Sequence, residues 1–163
     1  MTQQLPLAPG DPVVYPKHGA GRVRALTERT VGGHARAYYE IELRTGGMQV
    51  LVPVEKAASL GLRRATLEAD VPTLLAELDG PDVELPSGFQ SRYRAEQGIL
   101  ESADIRRVTR LVGTLARRHV TRGLASSELG ILQEGKKALV AELAVALSVP
   151  DAEALKLLND RLP

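Results

Sequence analysis

The chain predicts an α+β protein in two domains: a small antiparallel SH3/Tudor-like β barrel over residues 1–66, then a compact bundle of about five α-helices over residues 67–163. Two observations predict it. Apolar residues recur at every second position through roughly the first 65 residues, with glycine-bearing connectors between the runs, and from about residue 70 they recur at three and four instead. Composition permits both parts to fold. A chain of 163 residues suits one compact domain or two small ones, and 44% apolar with 25% charged residues is ordinary for a globular protein.

The strand half is read in order. "DPVVYP" is a short strand between prolines, and "GRVRALTER" puts Val23 and Ala25 on one face with Arg22, Arg24 and Leu26 on the other. "RAYYEIEL" sets Ala37, Tyr39 and Ile41 against Tyr38, Glu40 and Glu42, and "MQVLVPV" closes the series. The connectors "KHGAG", "VGGH" and "RTGG" each carry the glycine that tight hairpins need for positive φ. Such strands suggest a small barrel, and the pattern also allows a half-open sheet.

In the helical half, Asp70 can cap a helix bearing Val71, Leu74, Leu75 and Leu78, with Pro72 tolerated in its first turn. "GPDVELPSG" breaks the chain over 80–88. A helix over 90–101 follows, with Tyr93, Gln97 and Leu100 at i, i+4 and i+7. The next spans about 104–122 with a stripe of Ile105, Val108, Leu111, Val112 and Leu115, ended by Gly123. "SSELGILQEGKKALVAELAVALS" starts at a Ser cap and carries Leu129, Leu132, Leu139, Leu143 and Leu147. Pro150 and Asp151 open a last short helix with Ala154, Leu157 and Leu158.

Several function classes are disfavoured by what is missing. The absence of cysteine excludes disulfides, thiolate catalysis and Cys-ligated metal, and fits a reducing cytoplasm. No apolar run is long enough to span a bilayer, and "MTQQLPLAPGD" lacks a basic region followed by an apolar stretch, so neither a membrane role nor a signal peptide is expected. His18, His34 and His119 show no metal-binding spacing, and the glycines belong to hairpins rather than to a phosphate loop. With no nucleophile–base constellation, the expectation is a protein that is not an enzyme and needs no metal or cofactor.

Charge is unevenly placed although the net value is only +1. Residues 68–84 hold Glu68, Asp70, Glu77, Asp79, Asp82 and Glu84 and no base. Residues 92–122 hold Arg92, Arg94, Arg106, Arg107, Arg110, Arg117, Arg118 and Arg122. Arginine suits bidentate phosphate contact, yet the charge pattern alone favours a solvated helical surface. The only phenylalanine sits among these arginines, in "LPSGFQSRYR", directly after a loop signal. A core normally claims such a ring, and Phe89 could simply staple its helix against "VPTLLAEL".

The run "GDPVVYPKHGAGRV", then "AYYEIEL", then "VLVPVEKAASLGLR", resembles the start of the CarD/CdnL family of bacterial RNA polymerase-binding transcription regulators. It is similar also to the polymerase-interaction module of the transcription-repair coupling factor. "LPSGFQSRYR" resembles that family's Leu-Pro-x-x-Trp-x-x-Arg-aromatic-basic signature, and "RGLASSE" its turn between two long helices; the likeness runs in order along nearly the whole chain.

The resemblance implies a Tudor-like domain docked on the polymerase β subunit, where Arg29 takes the place of a contact arginine and Leu51 stands where some members carry a second. It implies a helical domain that grips promoter DNA, without reading sequence, at the upstream edge of the bubble. Phe89 takes the position of a tryptophan wedged in the minor groove, and Arg94 matches a basic residue that touches the backbone, while an intermediate arginine is replaced by Ser91. Arg92, Arg106, Arg107 and Arg110 would add phosphate contacts. The expected protein is a cytoplasmic monomer that stabilises the open promoter complex. The alternative is an adaptor that docks on polymerase or a repair helicase without a DNA wedge.

Overall fold

The computed structural model describes residues 6–15 and 18–163; the first five residues of "MTQQLPLAPGD" and Lys17 of the "KHGAG" connector lie outside them. The chain divides into two compact units: residues up to Leu67 together with Val145–Leu147, and Glu68–Ala144 together with Ser148–Pro163.

The first unit is one antiparallel sheet of β1 (Pro12–Tyr15), β2 (Gly19–Val31), β3 (His34–Leu43), β4 (Gln49–Pro53) and β5 (Arg63–Arg64), in the order β4-β3-β2-β1-β5. It does not close. The expected barrel is therefore realised as a twisted open sheet with β4 and β5 at its edges. Val13, Val23, Tyr39, Ile41, Leu43 and Val52 bury one face, and Leu7, Ala57 and Leu62 complete that core. The alternation along β3 agrees with the sequence reading, with Tyr39 and Ile41 inside.

The alternation along β2 does not. Val23 pairs with Ile41, but Ala25 pairs with Glu40, so a bulge at Arg24 inserts one residue and inverts every later position. Ala25 turns to the outer face and Leu26 to the core side. Beyond the bulge β2 and β3 continue as a two-stranded ribbon to a tight turn at Gly32 and Gly33, both at positive φ (60° and 81°), the conformation of a type I′ hairpin.

In the second unit, α1 (Val71–Ala76) continues as a 3₁₀ turn over Glu77–Asp79, and α2 (Phe89–Glu101), α3 (Ile105–Arg122), α4 (Ser126–Leu147) and α5 (Asp151–Asn159) follow. The Asp104 carboxylate caps α3, accepting from the backbone N–H groups of Arg106 and Arg107. Two expected caps differ: Asp70 precedes α1 without a side-chain cap bond, and Ala125, not a serine, is the cap residue of α4. The inward stripe of α2 also falls one residue earlier than expected. Glu96 and Ile99 are buried there, whereas Tyr93, Gln97 and Leu100 are only half-buried.

Helix α3 is the centre of this unit and packs on α1, α2 and the Glu77–Asp79 turn. Its closest approach is at Gly113, where any Cβ would collide with the Leu78 carbonyl. Gly113→Ala is accordingly expected to lower stability by about 1–3 kcal/mol in thermal or urea unfolding. Gly130→Ala, on α4 with open space around it, is the control and should gain up to about 1 kcal/mol.

Candidate nucleic-acid interface

Phe89 opens α2, and the residue is 46% exposed. The loop that delivers it is tied to α3. The Val83 N–H donates to Thr114 Oγ1 at 3.0 Å, and the Arg117 guanidinium donates to the Leu78 carbonyl at 2.6 Å and to Asp82 Oδ1 at 2.6 Å. Gly88 then starts the helix, its carbonyl accepting from the Arg92 N–H at 2.9 Å.

Two neighbours hold the ring. Tyr93, one turn on, lies parallel to it, with centroids 6.3 Å apart and 6° between the planes. The Tyr93 hydroxyl in turn accepts from Gln97 Nε2 at 3.2 Å. Arg92 places its guanidinium carbon 5.7 Å from the Phe89 centroid, over the face of the ring. That guanidinium is engaged elsewhere too: Nε and Nη2 donate to Glu128 Oε1 at 2.9 and 2.6 Å, and Nη1 donates to the Ser87 carbonyl at 3.0 Å. The Arg92 side chain is 12% exposed and that of Glu128 1%. Arg92, expected among the phosphate contacts, is thus an internal tie between α2, α4 and the loop.

The other arginines stand apart from the ring. Arg106 and Arg110 both grip Glu77, at 2.8 and 2.7 Å, and these two bonds hold the Glu77 carboxyl below the usual carboxylate range. With Arg107 they line a cleft of about 450 Å³ whose wall includes Ile99. Ile99 is ten residues from Phe89, about 15 Å along the axis of α2 at 1.5 Å per residue. Arg94 and Arg107 are exposed and make no ion pair or hydrogen bond through their side chains among the described residues. Arg94, five positions after Phe89, points about 140° away round the helix.

In the first unit the register gathers Arg29 and Leu51, the two residues for which the resemblance implies a polymerase contact. The rungs Leu51–Glu40–Ala25, Pro53–Tyr38–Thr27 and Arg36–Arg29 alternate with core rungs, so Arg29, Arg36, Tyr38 and Leu51 share the outer face of β2–β4. Arg29 and Arg36 are exposed directly opposite one another, and Leu51 is 44% exposed.

Residues 7–66 match the CarD-like/TRCF RID domain family, and residues 73–159 match the CarD C-terminal domain family. The chain belongs to the CarD/CdnL family. Phe89, Arg92 and Glu128 fall in the second matched region, Arg29 and Leu51 in the first. Among individual proteins, the chain is 24% identical over 144 residues to the candidate transcription factor YdeB of Bacillus subtilis (strain 168), covering 88% of this chain and 94% of that one. It is also 33% identical to the 72-residue N-terminal domain of Myxococcus xanthus CarD solved by NMR, over 39% of this chain and 89% of that chain, with a TM-score of 0.32. No helix among the described residues is long and apolar enough to cross a membrane.

Inside the helical unit lies a group that pattern reading missed. Glu96 is fully buried on the inner side of α2, and neither carboxylate oxygen has a hydrogen-bond partner among the described residues. Burial, with help from the nearby Glu128 and against the pull of Arg92 and Arg118, pushes its carboxyl up to about 7. The folded state therefore holds a proton that the unfolded chain, near 4.5, has released. Stability from this group is complete below about 4.5 and is lost as pH rises towards about 7. Urea unfolding at about pH 5 and about pH 8 should differ by up to about 3 kcal/mol from this site alone, and Glu96→Gln should remove that difference.

Proposed function

We propose that the protein is a non-enzymatic, monomeric transcription regulator of the cytoplasm that docks on the RNA polymerase β subunit and stabilises the open promoter complex. In this reading the outer face of β2–β4 meets polymerase through Arg29 and Leu51, and Phe89 enters the minor groove at the upstream edge of the bubble. The observation that carries it is Phe89 itself. The chain's largest apolar ring stands nearly half exposed at a helix start, held by Tyr93 and Arg92 instead of sinking into a leucine core that could have taken it. An ordered, exposed apolar ring suits insertion at a base step, where it holds a distortion open by stacking.

Phosphate contacts without sequence readout would come from the exposed Arg94 on α2 and from Arg106, Arg107 and Arg110 beside the cleft that Ile99 lines. Because Glu77 neutralises part of that second group, affinity for free DNA is weak. Tethering to polymerase offsets the weakness by making the DNA contact intramolecular. No cofactor or metal enters the scheme, and the wedge shifts the closed–open balance only by binding the melted form better.

Two variants separate the contacts. Phe89→Ala should leave polymerase affinity intact and shorten the lifetime of the open complex, whereas Arg29→Glu should abolish polymerase binding with both units still folded. An unchanged open-complex lifetime for Phe89→Ala would favour the adaptor reading, to which the pairing of Arg106 and Arg110 with Glu77 already lends some support. Glu77→Gln should tighten binding to free duplex and steepen its salt dependence by about one to two ions as the two guanidinium groups are released.

A further inference from the structure

Arg92 is the most heavily engaged side chain near the ring, and its partners are unusual for an arginine beside a nucleic-acid surface. Four contacts converge on one guanidinium: two bonds to Glu128 Oε1, one to the Ser87 carbonyl, and the face of Phe89 at 5.7 Å. These join the loop before α2 and the first turn of α2 to the first turn of α4, 36 residues on. Lysine is a poor substitute, since the three donors of an ammonium sit on one nitrogen and lack the spread planar fork that sets two N–H groups on the carboxylate while a third reaches the carbonyl.

From this geometry we infer that Arg92 is the positioning residue of Phe89, fixing where the ring points by clamping the preceding loop to Glu128, and that it does not itself bind DNA. The inference rests on the wedge reading for its functional part, while the structural part stands without it. A guanidinium that is 12% exposed and already committed to three oxygen bonds has little left for a phosphate. The loop it holds cannot drift, so the ring leaves α2 in one orientation and meets the DNA without an ordering cost at that moment.

Because the chain has a single phenylalanine, fluorinated phenylalanine yields one ¹⁹F resonance that reports the ring directly in the free protein. Arg92→Lys and the apolar pair Arg92→Met with Glu128→Leu are compared with wild type. The second pair is chosen because matched apolar replacements of a buried ion pair commonly keep the fold. Melting curves and circular dichroism establish which variants are folded. In a folded variant the resonance is expected to move towards that of the urea-unfolded chain. A resonance that stays at the wild-type position overturns the inference.

With polymerase and a promoter, the folded variant should lose open-complex lifetime by the same factor as Phe89→Ala, at unchanged polymerase affinity. Adding Phe89→Ala to it should bring no further loss. A further loss in that background means that Arg92 touches DNA itself and refutes the assignment. If Phe89→Ala alone leaves the lifetime unchanged, the wedge reading fails, and the ring resonance still decides what Arg92 does.

Discussion

The helical unit is organised around one ion pair withdrawn from water. Arg92 and Glu128 lie 36 residues apart in the chain, yet their side chains meet at 2.6 Å in a setting that leaves the carboxylate 1% exposed. Burying two charges is costly, and the pair is tolerated because the guanidinium donates three hydrogen bonds to oxygen, two of them to the carboxylate itself. The arrangement is brittle in a useful sense. Removing one partner strands the other charge, which costs about 3–5 kcal/mol, so neither the loop nor the start of α2 can wander while the unit remains folded. Glu96 feels the same confinement. With Glu128 nearby and no hydrogen bond of its own, it keeps its proton to about neutral pH.

The second theme is the bookkeeping of charge on α3. Its arginines look like a phosphate-binding row, but Arg106 and Arg110 hold Glu77 while Arg117 holds Asp82 and the Leu78 carbonyl. The acidic stretch before α2 is thus folded back onto the basic stretch after it. This makes a unit whose shape depends on arginine and whose surface field is modest, in keeping with a net charge of +1. Exposed bonds of this kind contribute little each, and their value lies in placing the 80–88 loop.

How much of this could be read in advance differs from element to element. The strand period and the glycine connectors located β2, β3 and β4, because one-sided burial enforces strict alternation. The bulge at Arg24 was hidden, since nothing in "RVRA" marks an extra residue. Helix α3 was legible almost to the residue from its Ile/Val/Leu stripe and from Gly123, whose φ of 74° ends it, while the Asp104 cap emerged only from the structure. The inward side of α2 was misplaced by one position because its buried face carries Arg92 and Glu96, and a periodicity built on apolar residues counts charged ones as solvent-facing. The exposure of Phe89 was suggested by the loop before it and by family likeness. Its supports were not, because a contact to Glu128 belongs to tertiary structure alone.

The outer face of the hairpin carries a tension of its own. The I′ turn sets the register so that Arg29 and Arg36 occupy one rung, and like charges directly opposite on a sheet repel. No loop slack can relax that rung without slipping the ribbon and turning the core side outward. The hairpin is locally frustrated there. A fold that keeps two cations side by side carries their repulsion as a standing cost of its register.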